Sequence, residues 1–225
     1  MHVTSEPAIL YFGTPVVLIS TVNEDGSANL APMSSAFWLG WRCVLGLSAA
    51  SQTARNPQRD RQCVLNLPSE RQVAHVDRLA LTTGADPVPS AKAARGYRHV
   101  RDKFAAAGLT ADGSQAVRAP RVRECPVQLE AVVEAVHGLA ADDDMLRGRL
   151  LNFEVRIVRV HLDATILMAG HPDRVDPDRW RPLVMSFQKV YGLGSGQLHA
   201  SALSSIPEAM YRSPDVDRAR LAVAG

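Results

Sequence analysis

The chain has 225 residues, of which 46% are hydrophobic and 21% are charged, and its formal net charge is +2. This composition supplies enough apolar side chains for a core and excludes a largely disordered chain. Only three of the 25 basic residues are lysines, and the basic residues are scattered among acidic ones. No nucleic-acid-binding stripe is therefore predicted.

Neither the N-terminus nor the cysteines indicate secretion. The first ten residues, MHVTSEPAIL, lack the basic and then apolar pattern of a signal peptide. No apolar run approaches the roughly 18 residues that span a bilayer. Cys43, Cys63 and Cys125 are odd in number and widely spaced, so neither a disulfide framework nor a zinc site is predicted. We expect a cytoplasmic protein that does not interact with membranes.

The first third of the chain has the pattern of short antiparallel strands. Residues 15–22 (PVVLISTV) are apolar and β-branched, and Asp25-Gly26 is a typical hairpin turn before a second strand at 27–34. Apolar runs at 43–48 and 63–68 predict two more strands. Their short connections favour a mainly antiparallel meander.

Helices are predicted between and after these strands. Asn56-Pro57 has the pattern of an N-cap followed by a proline in the first turn, although Thr53 is an alternative start. Residues 69–120 predict a helical insertion, with helices at 69–83 and at 91–108. Because this insertion is too small to hold its own core, we expect a single domain over residues 1–225.

The final third returns to alternating apolar and polar residues. Two long strands are predicted at 127–139 and 153–163, with the acidic segment 141–145 as a solvated loop between them. The tail, 204–225, is expected to be partly loose. The whole pattern predicts a mainly β protein, an antiparallel β-barrel of about six or more strands with inserted helices.

Common catalytic and metal-binding motifs are missing from the sequence. There is no GxSxG, HExxH or P-loop motif, no GxGxxG after a strand, and the seven histidines have no ligand spacing. We therefore predict neither a catalytic side-chain dyad nor a metal site. A bound cofactor that brings its own chemistry is the better hypothesis.

Small polar residues are concentrated between the apolar runs of residues 29–56: Asn29, Ser34, Ser35, Ser48, Ser51, Gln52, Thr53 and Asn56. Hydroxyls and backbone N–H groups at a helix N-terminus suit a phosphate, and amides suit ring heteroatoms. Flavin mononucleotide (FMN) needs both. Taken singly, these residue types are more typical of turns and caps, so the prediction depends on the cluster.

The order of several segments resembles the flavin reductase-like family of FMN-binding split barrels. These segments are TVNEDGSANLAPMSSAFWLGW, LSAASQTARN, CVLNLP, RVRECPVQLEAVVEA, FEVRIVRVHLDATIL and RWRPLVMSFQKVYGLGSGQLHAS. The resemblance covers residues 8–203. It implies an antiparallel split β-barrel and a homodimer with FMN at the subunit interface.

The same resemblance implies a set of cofactor-binding residues and an activity. The flavin ring and ribityl chain would lie against Asn29, Ala31, Pro32, Met33, Ser34 and Ser35. The phosphate would lie against Ser48, Ser51, Thr53 and Asn56, with Gln52 in the same turn, and Lys189 and Tyr191 would close the pocket. The implied activity is an oxidoreductase that transfers hydride from NADH or NADPH to flavin, which then passes electrons to free flavin, oxygen or a flavin-dependent monooxygenase.

Two features depart from the family pattern. Many relatives carry a proline pair before the third strand, where this chain has Trp41-Arg42-Cys43. Trp38 or Trp41 is expected either to cover the open face of the flavin or to pack at the dimer interface. The phosphate loop contains Arg55 but no lysine, and Arg55 is expected either to supply charge to the phosphate or to face solvent.

Two alternatives remain open from the sequence. One is a flavoprotein that acts on a specific organic substrate, with Tyr97, His99 and Arg101 of the insertion binding an anionic group. The other is a module that binds FMN or haem without turnover, with His161 or His137 as the axial ligand.

Overall fold

The computed structural model describes residues 1–194, 196–199 and 201–221. The chain is mainly β, as the sequence predicts. Its strands are β1 (Phe12–Pro15), β2 (Val17–Val22), β3 (Ala28–Met33), β4 (Ala36–Leu39), β5 (Arg42–Ser48), β6 (Gln62–Leu67), β7 (Thr82–Thr83), β8 (Arg98–His99), β9 (Ala111–Asp112), β10 (Arg121–Val122), β11 (Val127–Gly138), β12 (Leu150–Leu162), β13 (Val184–Ser186) and β14 (Lys189–Tyr191).

Helices are short and few compared with the strands. The α-helices are α1 (Gln52–Asp60), α2 (Val73–Arg78), α3 (Ser90–Ala93), α4 (Lys103–Ala107) and α5 (Pro214–Leu221). Single 3-10 turns occupy Glu70–Gln72, Ala164–Ile166, Ala202–Ser205 and Glu208–Tyr211. No helix of the described residues is long and apolar enough to cross a bilayer.

A seven-stranded sheet forms the body of the protein, in the order β3-β2-β6-β11-β12-β5-β4. Its two end strands, β3 and β4, are separated along the chain by Ser34 and Ser35 alone. A two-residue connection cannot span a flat seven-stranded sheet. The sheet must therefore curl until its ends meet, and the predicted antiparallel split barrel is confirmed.

The strand order differs from the predicted meander. β6 pairs with β2 and β11 rather than with β5, because α1 carries the chain across the barrel between β5 and β6. The sequence prediction also missed β4, whose four residues are too few to show a clear alternation. The hairpin turn at Asp25-Gly26 is confirmed, since Gly26 has a φ of +82° and its N–H donates to the Asn23 carbonyl at 3.0 Å.

The long strands β11 and β12 form the predicted hairpin. They pair from Val127↔Leu162 to Gly138↔Leu151, with two irregularities in register, and residues 141–145 between them are exposed. The two strands place Ala131, Val133, Phe153 and Val155 inside the barrel. Cys43 and Cys63 are buried in the same core, and Cys125 is buried in a second core outside the barrel.

The insertion packs on the outer face of the barrel. Val76, Leu79 and Phe104 share the second core with Leu18 and Leu30 of β2 and β3. The predicted helix at 91–108 is wrong in extent, because it is split into α3 and α4. Gly96 leaves helical geometry with a φ of +81°, and β8 then pairs in parallel with β7. Likewise, the predicted helix at 69–83 is shortened to a 3-10 turn and α2.

The tail is more ordered than its sequence suggests. α5 lies against β12, and Asp215 near its start forms an ion pair with Arg42 of β5 at 3.1 Å. The predicted loose tail is thus only partly borne out within residues 204–221, and residues 222–225 lie outside the described part.

Glu130 fastens the end of the insertion to the barrel. This carboxylate is fully buried on β11 and accepts the backbone N–H groups of Gln115, Ala116 and Val117 at 2.9, 2.5 and 3.2 Å. His161 Nε2 lies 2.7 Å from its Oε1. Desolvation raises the pKa of Glu130, but these hydrogen bonds and the nearby His161 outweigh it and hold the pKa below its ordinary value of 4.5.

We expect Glu130→Gln to lower the free energy of unfolding by about 2–3 kcal/mol at neutral pH, because an amide cannot accept from so many donors. Since the folded pKa is depressed, the stabilisation from Glu130 is present above about pH 4.5 and is lost as the pH falls through the folded value. Urea denaturation at a series of pH values measures both effects. Glu24→Gln, at a side chain that is 86% exposed, is the control. Equal losses of unfolding free energy in the two variants would contradict the role of Glu130 in holding residues 115–117 to the barrel.

Candidate functional site

Helix α1 begins earlier than the leading sequence hypothesis states. Ser51 is its N-cap: its Oγ accepts the N–H of Ala54 at 3.1 Å and donates to the Ser48 carbonyl at 2.8 Å. The prediction that Asn56 caps the helix and Pro57 opens it is wrong, and the alternative start near Thr53 is closer. Pro57 lies inside the helix, where it lacks an N–H for the Thr53 carbonyl. The serine that precedes it by six residues is the stronger start signal.

A buried network of amides and hydroxyls joins α1 to the β2–β3 hairpin. Asn29 Nδ2 donates to the hydroxyls of Thr21 and Thr53, both at 3.2 Å. Asn56 Nδ2 donates to Thr21 Oγ1 and to Asn23 Oδ1, both at 2.9 Å. Gln52 Nε2 donates to Asn56 Oδ1 at 2.8 Å. Asn29 and Asn56 are each 1% exposed, so their amides position the helix.

One hydrogen-bond acceptor of this network has no donor. Asn29 Oδ1 is buried and has no hydrogen-bond donor among the described residues. The backbone of Gly84 passes directly over it, because a Cβ on Gly84 would lie 2.4 Å from Asn29 Oδ1 and 3.4 Å from Gln52 Cβ. We call residues 83–85 the strap. Only a glycine permits the strap to lie this close to the start of α1.

The first turn of α1 has the features of an anion site. The N–H groups of Gln52 and Thr53 make no hydrogen bond to the described residues. No acidic residue occupies this turn, so the positive end of the helix dipole is not offset there. Ser48, at the end of β5, is exposed beside it. The four predicted phosphate residues and Gln52 therefore lie on one turn and its adjoining helix, although Thr53 and Asn56 are mostly occupied with structural hydrogen bonds.

Two lysines of the insertion add positive charge, and the sequence prediction missed both. Lys103 on α4 is 2% exposed, and its ammonium group makes no ion pair or hydrogen bond with the described residues. Burial, and to a smaller extent the charge of Lys92, lowers the pKa of Lys103 from 10.5 to about 8. Burial also lowers the pKa of Lys92, followed by the charges of Arg55 and Arg95.

The strap connects these lysines to α1. Lys92 Nζ donates to Thr83 Oγ1 at 3.4 Å, one residue from the glycine that covers Asn29 and Gln52. α4 packs against β3, the strand that carries Asn29. Thus Lys92, Lys103 and Arg55 form a group of cations beside the first half of α1, with no carboxylate paired to them in the described chain. Lys103 is buried and Lys92 is half-buried, whereas Arg55 is exposed. Like charges gathered in this way favour the binding of an anion.

The predicted ring-binding residues lie where the barrel closes. Ala31, Pro32 and Met33 end β3 at the free edge of the sheet, and Ser34 and Ser35 make the connection to β4; all five are half-buried. The Ser35 carbonyl accepts the N–H of Gly46 at 2.8 Å, and a Cβ on Gly46 would lie 3.1 Å from Ser35 Cβ. This segment leads from Asn29 away from α1, as a ring and its ribityl chain require.

Lys189 and Tyr191 do not join this group in the chain as described. Both are exposed on β14, in the small β1-β13-β14 sheet. They form no hydrogen bond or ion pair with residues 29–56. Their role in closing the pocket stays a prediction.

The residues of the alternative hypotheses are separated or already paired. Lys92 Nζ lies 5.4 Å from the centroid of the Tyr97 ring. His99 Nδ1 is 3.3 Å from the Ala85 carbonyl oxygen. Arg101 forms an ion pair with Asp25 at 3.3 Å. His161 Nε2 lies 2.7 Å from Glu130 Oε1, so one of its ring nitrogens is already occupied. His137 is exposed near the end of β11. No group of three or more metal-ligating side chains occurs in the described residues.

The two tryptophans lie in different places. Trp38 is half-buried on β4, and its Nε1 has no acceptor among the described residues. Trp41 packs against the barrel core at the opposite end of β5 from Ser48. Of the two, only Trp38 lies on the strand that directly follows the Ala31–Ser35 segment.

Comparison with known proteins finds one family model that matches most of the chain and a relative of similar length. Residues 9–186 match the flavin reductase like domain. An uncharacterized protein of Bacillus subtilis, YdfE, is 32% identical over 189 residues, which covers 84% of this chain and 88% of that protein.

Solved structures show the same fold. The flavoredoxin of Desulfovibrio vulgaris has a TM-score of 0.71 and 22% identity, covering 91% of this chain and 99% of its own. Nitrilotriacetate monooxygenase component B from Bacillus cereus has a TM-score of 0.66 and 19% identity, covering 84% of this chain and 88% of its own. A protein of Shewanella frigidimarina described as having a split barrel domain has a TM-score of 0.64 and 17% identity, covering 84% and 87%.

We expect Asn56→Ala to lower the free energy of unfolding by about 2 kcal/mol, because it removes the hydrogen bonds of Asn56 to Thr21, Asn23 and Gln52. Gln58→Ala removes, from an exposed residue of the same helix, one hydrogen bond to the Ala54 carbonyl. It is expected to change stability by less than about 0.5 kcal/mol. Urea denaturation of the two variants measures the difference. A similar stability for both would show that the network does not hold α1.

Proposed function

Because the chain belongs to the flavin reductase-like family, and is thereby a flavin-linked oxidoreductase, we propose that it binds FMN beside α1 and accepts hydride from NADH or NADPH. The observation that carries this proposal is the Lys103 side chain, which is 2% exposed and has no counterion among the described residues. A lysine without a counterion in the interior of a protein is costly, and a bound anion would offset the cost.

The phosphate of FMN fits the charges and donors around α1. It is dianionic near neutral pH, and the first turn offers the unpaired N–H groups of Gln52 and Thr53. Lys92, Lys103 and Arg55 lie on the insertion side of this turn, and Ser48 lies on the strand side. The phosphate loop itself contains no lysine, and in this proposal the insertion supplies the lysines instead.

The remainder of the cofactor is proposed to follow the Ala31–Ser35 segment. Pro32 and Met33 offer apolar surface to a ring, and the backbone and hydroxyls of Ser34 and Ser35 offer polar groups to its edge. Asn29 stands between the two halves of the site, and its unpartnered Oδ1 could accept from a ribityl hydroxyl if the strap moves. Lys189 and Tyr191 would approach only through motion of β14 or from a second subunit.

The chemistry requires little of the protein. When bound, FMN supplies the hydride-accepting group. The chain's own residues bind the phosphate, orient the ring at the barrel edge and hold α1 in place through the Asn29–Asn56 network. No side chain of the site is assigned as an acid or base.

A homodimer is part of the proposal. Large apolar side chains are exposed near the barrel closure and the β1-β13-β14 sheet, including Phe12, Phe37, Tyr191 and Leu193. Exposed apolar groups of this kind are typical of subunit interfaces. The likeness to nitrilotriacetate monooxygenase component B supports a flavin-dependent monooxygenase as an electron-accepting partner.

We expect Lys103→Met to weaken FMN binding roughly tenfold or more, because a charge-assisted contact to the phosphate is lost. Riboflavin, which has no phosphate, should bind the wild-type protein and the Lys103→Met variant equally. The variant without FMN should be more stable near neutral pH, because an unpaired buried charge is removed. Fluorescence titrations with both flavins and thermal denaturation measure these effects. Arg98→Met, at an exposed arginine without an ion pair in the described chain, is the charge-matched control. Equal losses for FMN and riboflavin would contradict the phosphate role.

The same lysine predicts a pH dependence. The pKa of Lys103 without ligand is lowered to about 8, so the neutral form grows as the pH rises through this value. FMN affinity of the wild-type protein should therefore fall between about pH 7 and about pH 9, and Lys103→Met should show a flatter profile. Titrations across this range measure it.

We expect FMN absorbance to be perturbed by the protein and then to bleach faster with NADH or NADPH than free FMN does under anaerobic conditions. A perturbed spectrum that neither nucleotide bleaches would favour a carrier or an enzyme of another substrate. An unchanged spectrum would refute FMN binding itself.

A further inference from the structure

A large cleft lies on the side of the barrel away from α1. Its volume is about 1010 Å³, which is at the upper limit of the usual range for small-molecule sites. β12, the loop that follows it and the C-terminal segment make its walls. We call this space the β12 cleft.

The cleft exists because β5 covers only part of β12. The two strands pair from Leu150 to Arg156, and the Ile157 N–H then donates to the Trp41 carbonyl at 2.9 Å. Beyond Ile157, this edge of β12 has no strand neighbour among the described residues. Trp41, Val160, Leu162, Leu167 and Val216 supply apolar lining.

Arg159 and Arg174 of the cleft each have a buried Nε without a hydrogen-bond acceptor among the described residues, but Arg174 has an ion pair with Glu208 and Arg159 has none. An unsatisfied buried donor costs free energy, and one in a native site requires an explanation. A guanidinium group presents parallel donors that match the two oxygens of a carboxylate.

The other charges leave the cleft positive. Four arginines line it against two carboxylates, Asp173 and Glu208. Of these arginines, Arg174 is paired with Glu208 at 3.2 Å, and Arg212 is paired with Asp217 on α5. Arg159 and Arg220 form no direct ion pair in the described chain, although Arg220 lies near enough to Asp217 to lower its pKa. Asp173 is exposed. The lining therefore favours one negative group next to an apolar body.

The C-terminal wall is fixed in place. Asp215 accepts from Arg42 Nε at 3.1 Å and from Arg218 Nη1 at 2.8 Å, which anchors α5 to β5. A ligand would thus enter a site that is already formed, and little binding free energy would be spent on ordering it.

We propose that the β12 cleft binds an amphipathic carboxylate, with the carboxylate on Arg159 and the apolar body against Trp41, Val160 and Leu167. This site is separate from the proposed flavin site. Trp41 and Ser48 stand at opposite ends of β5, roughly 20 Å apart by the rise of a strand. The ligand is accordingly an effector or a carried molecule, and it does not exchange hydride with the flavin.

Calorimetric titration with decanoate and with decanol tests the proposal. Decanoate is expected to bind the wild-type protein, and Arg159→Met should weaken it roughly tenfold to a hundredfold. Decanol, which lacks the carboxylate, should bind both proteins weakly and equally. Arg98→Met, distant from the cleft, should bind decanoate as the wild type does.

A second variant covers the case in which Arg159→Met is unstable. Ala209 lines the cleft from an exposed 3-10 turn, so Ala209→Trp should fill the space and abolish decanoate binding without disturbing the barrel. FMN affinity should be unchanged in both variants, which separates this test from that of the flavin site. The proposal is overturned if millimolar decanoate does not bind, if Arg159→Met binds it as the wild type does, or if decanoate displaces FMN.

Discussion

Helix α1 is held to the barrel by hydrogen bonds between buried amides and hydroxyls, and the rest of the site depends on this attachment. Asn29 and Asn56 meet on Thr21, and Gln52 adds a bond from the first turn. Hydrogen bonds fix direction as well as distance, which apolar packing does not. The orientation of the first turn, the glycine strap over it and the lysines behind the strap all follow from this fixed helix.

The barrel could be predicted from the sequence because its strands carry a local signal. The alternation in Val127–Gly138 and Leu150–Leu162 and the turn at Asp25-Gly26 all depend on neighbouring residues. The strand order could not be predicted in the same way, since the pairing of β6 with β2 depends on where α1 carries the chain. The prediction of the helices in the insertion was wrong in extent for a related reason. Helical segments do form there, but Gly96 and the parallel β7–β8 pair interrupt them.

In the candidate site, too, the features with a local sequence signal could be predicted and those that depend on tertiary contacts could not. The cluster of small polar residues was visible in the sequence, and the structure gathers Asn29, Gln52, Thr53 and Asn56 into one hydrogen-bonded network. Whether a given amide faces a ligand or holds a helix depends on tertiary contacts, and here Asn56 does the latter. Lys103 was missed because nothing in its local sequence distinguishes a buried lysine from an exposed one. Only its burial and its missing counterion, both long-range properties, distinguish it.

The three buried cysteines have a consequence for a protein that handles reducing equivalents. Desolvation raises the pKa of Cys43 and of Cys63 to about 12, and it raises the pKa of Cys125 as well. At neutral pH all three are protonated thiols, and a protonated thiol reacts slowly with peroxides and disulfides. The three thiols are therefore poor reaction partners for any peroxide that a reduced flavin produces in air.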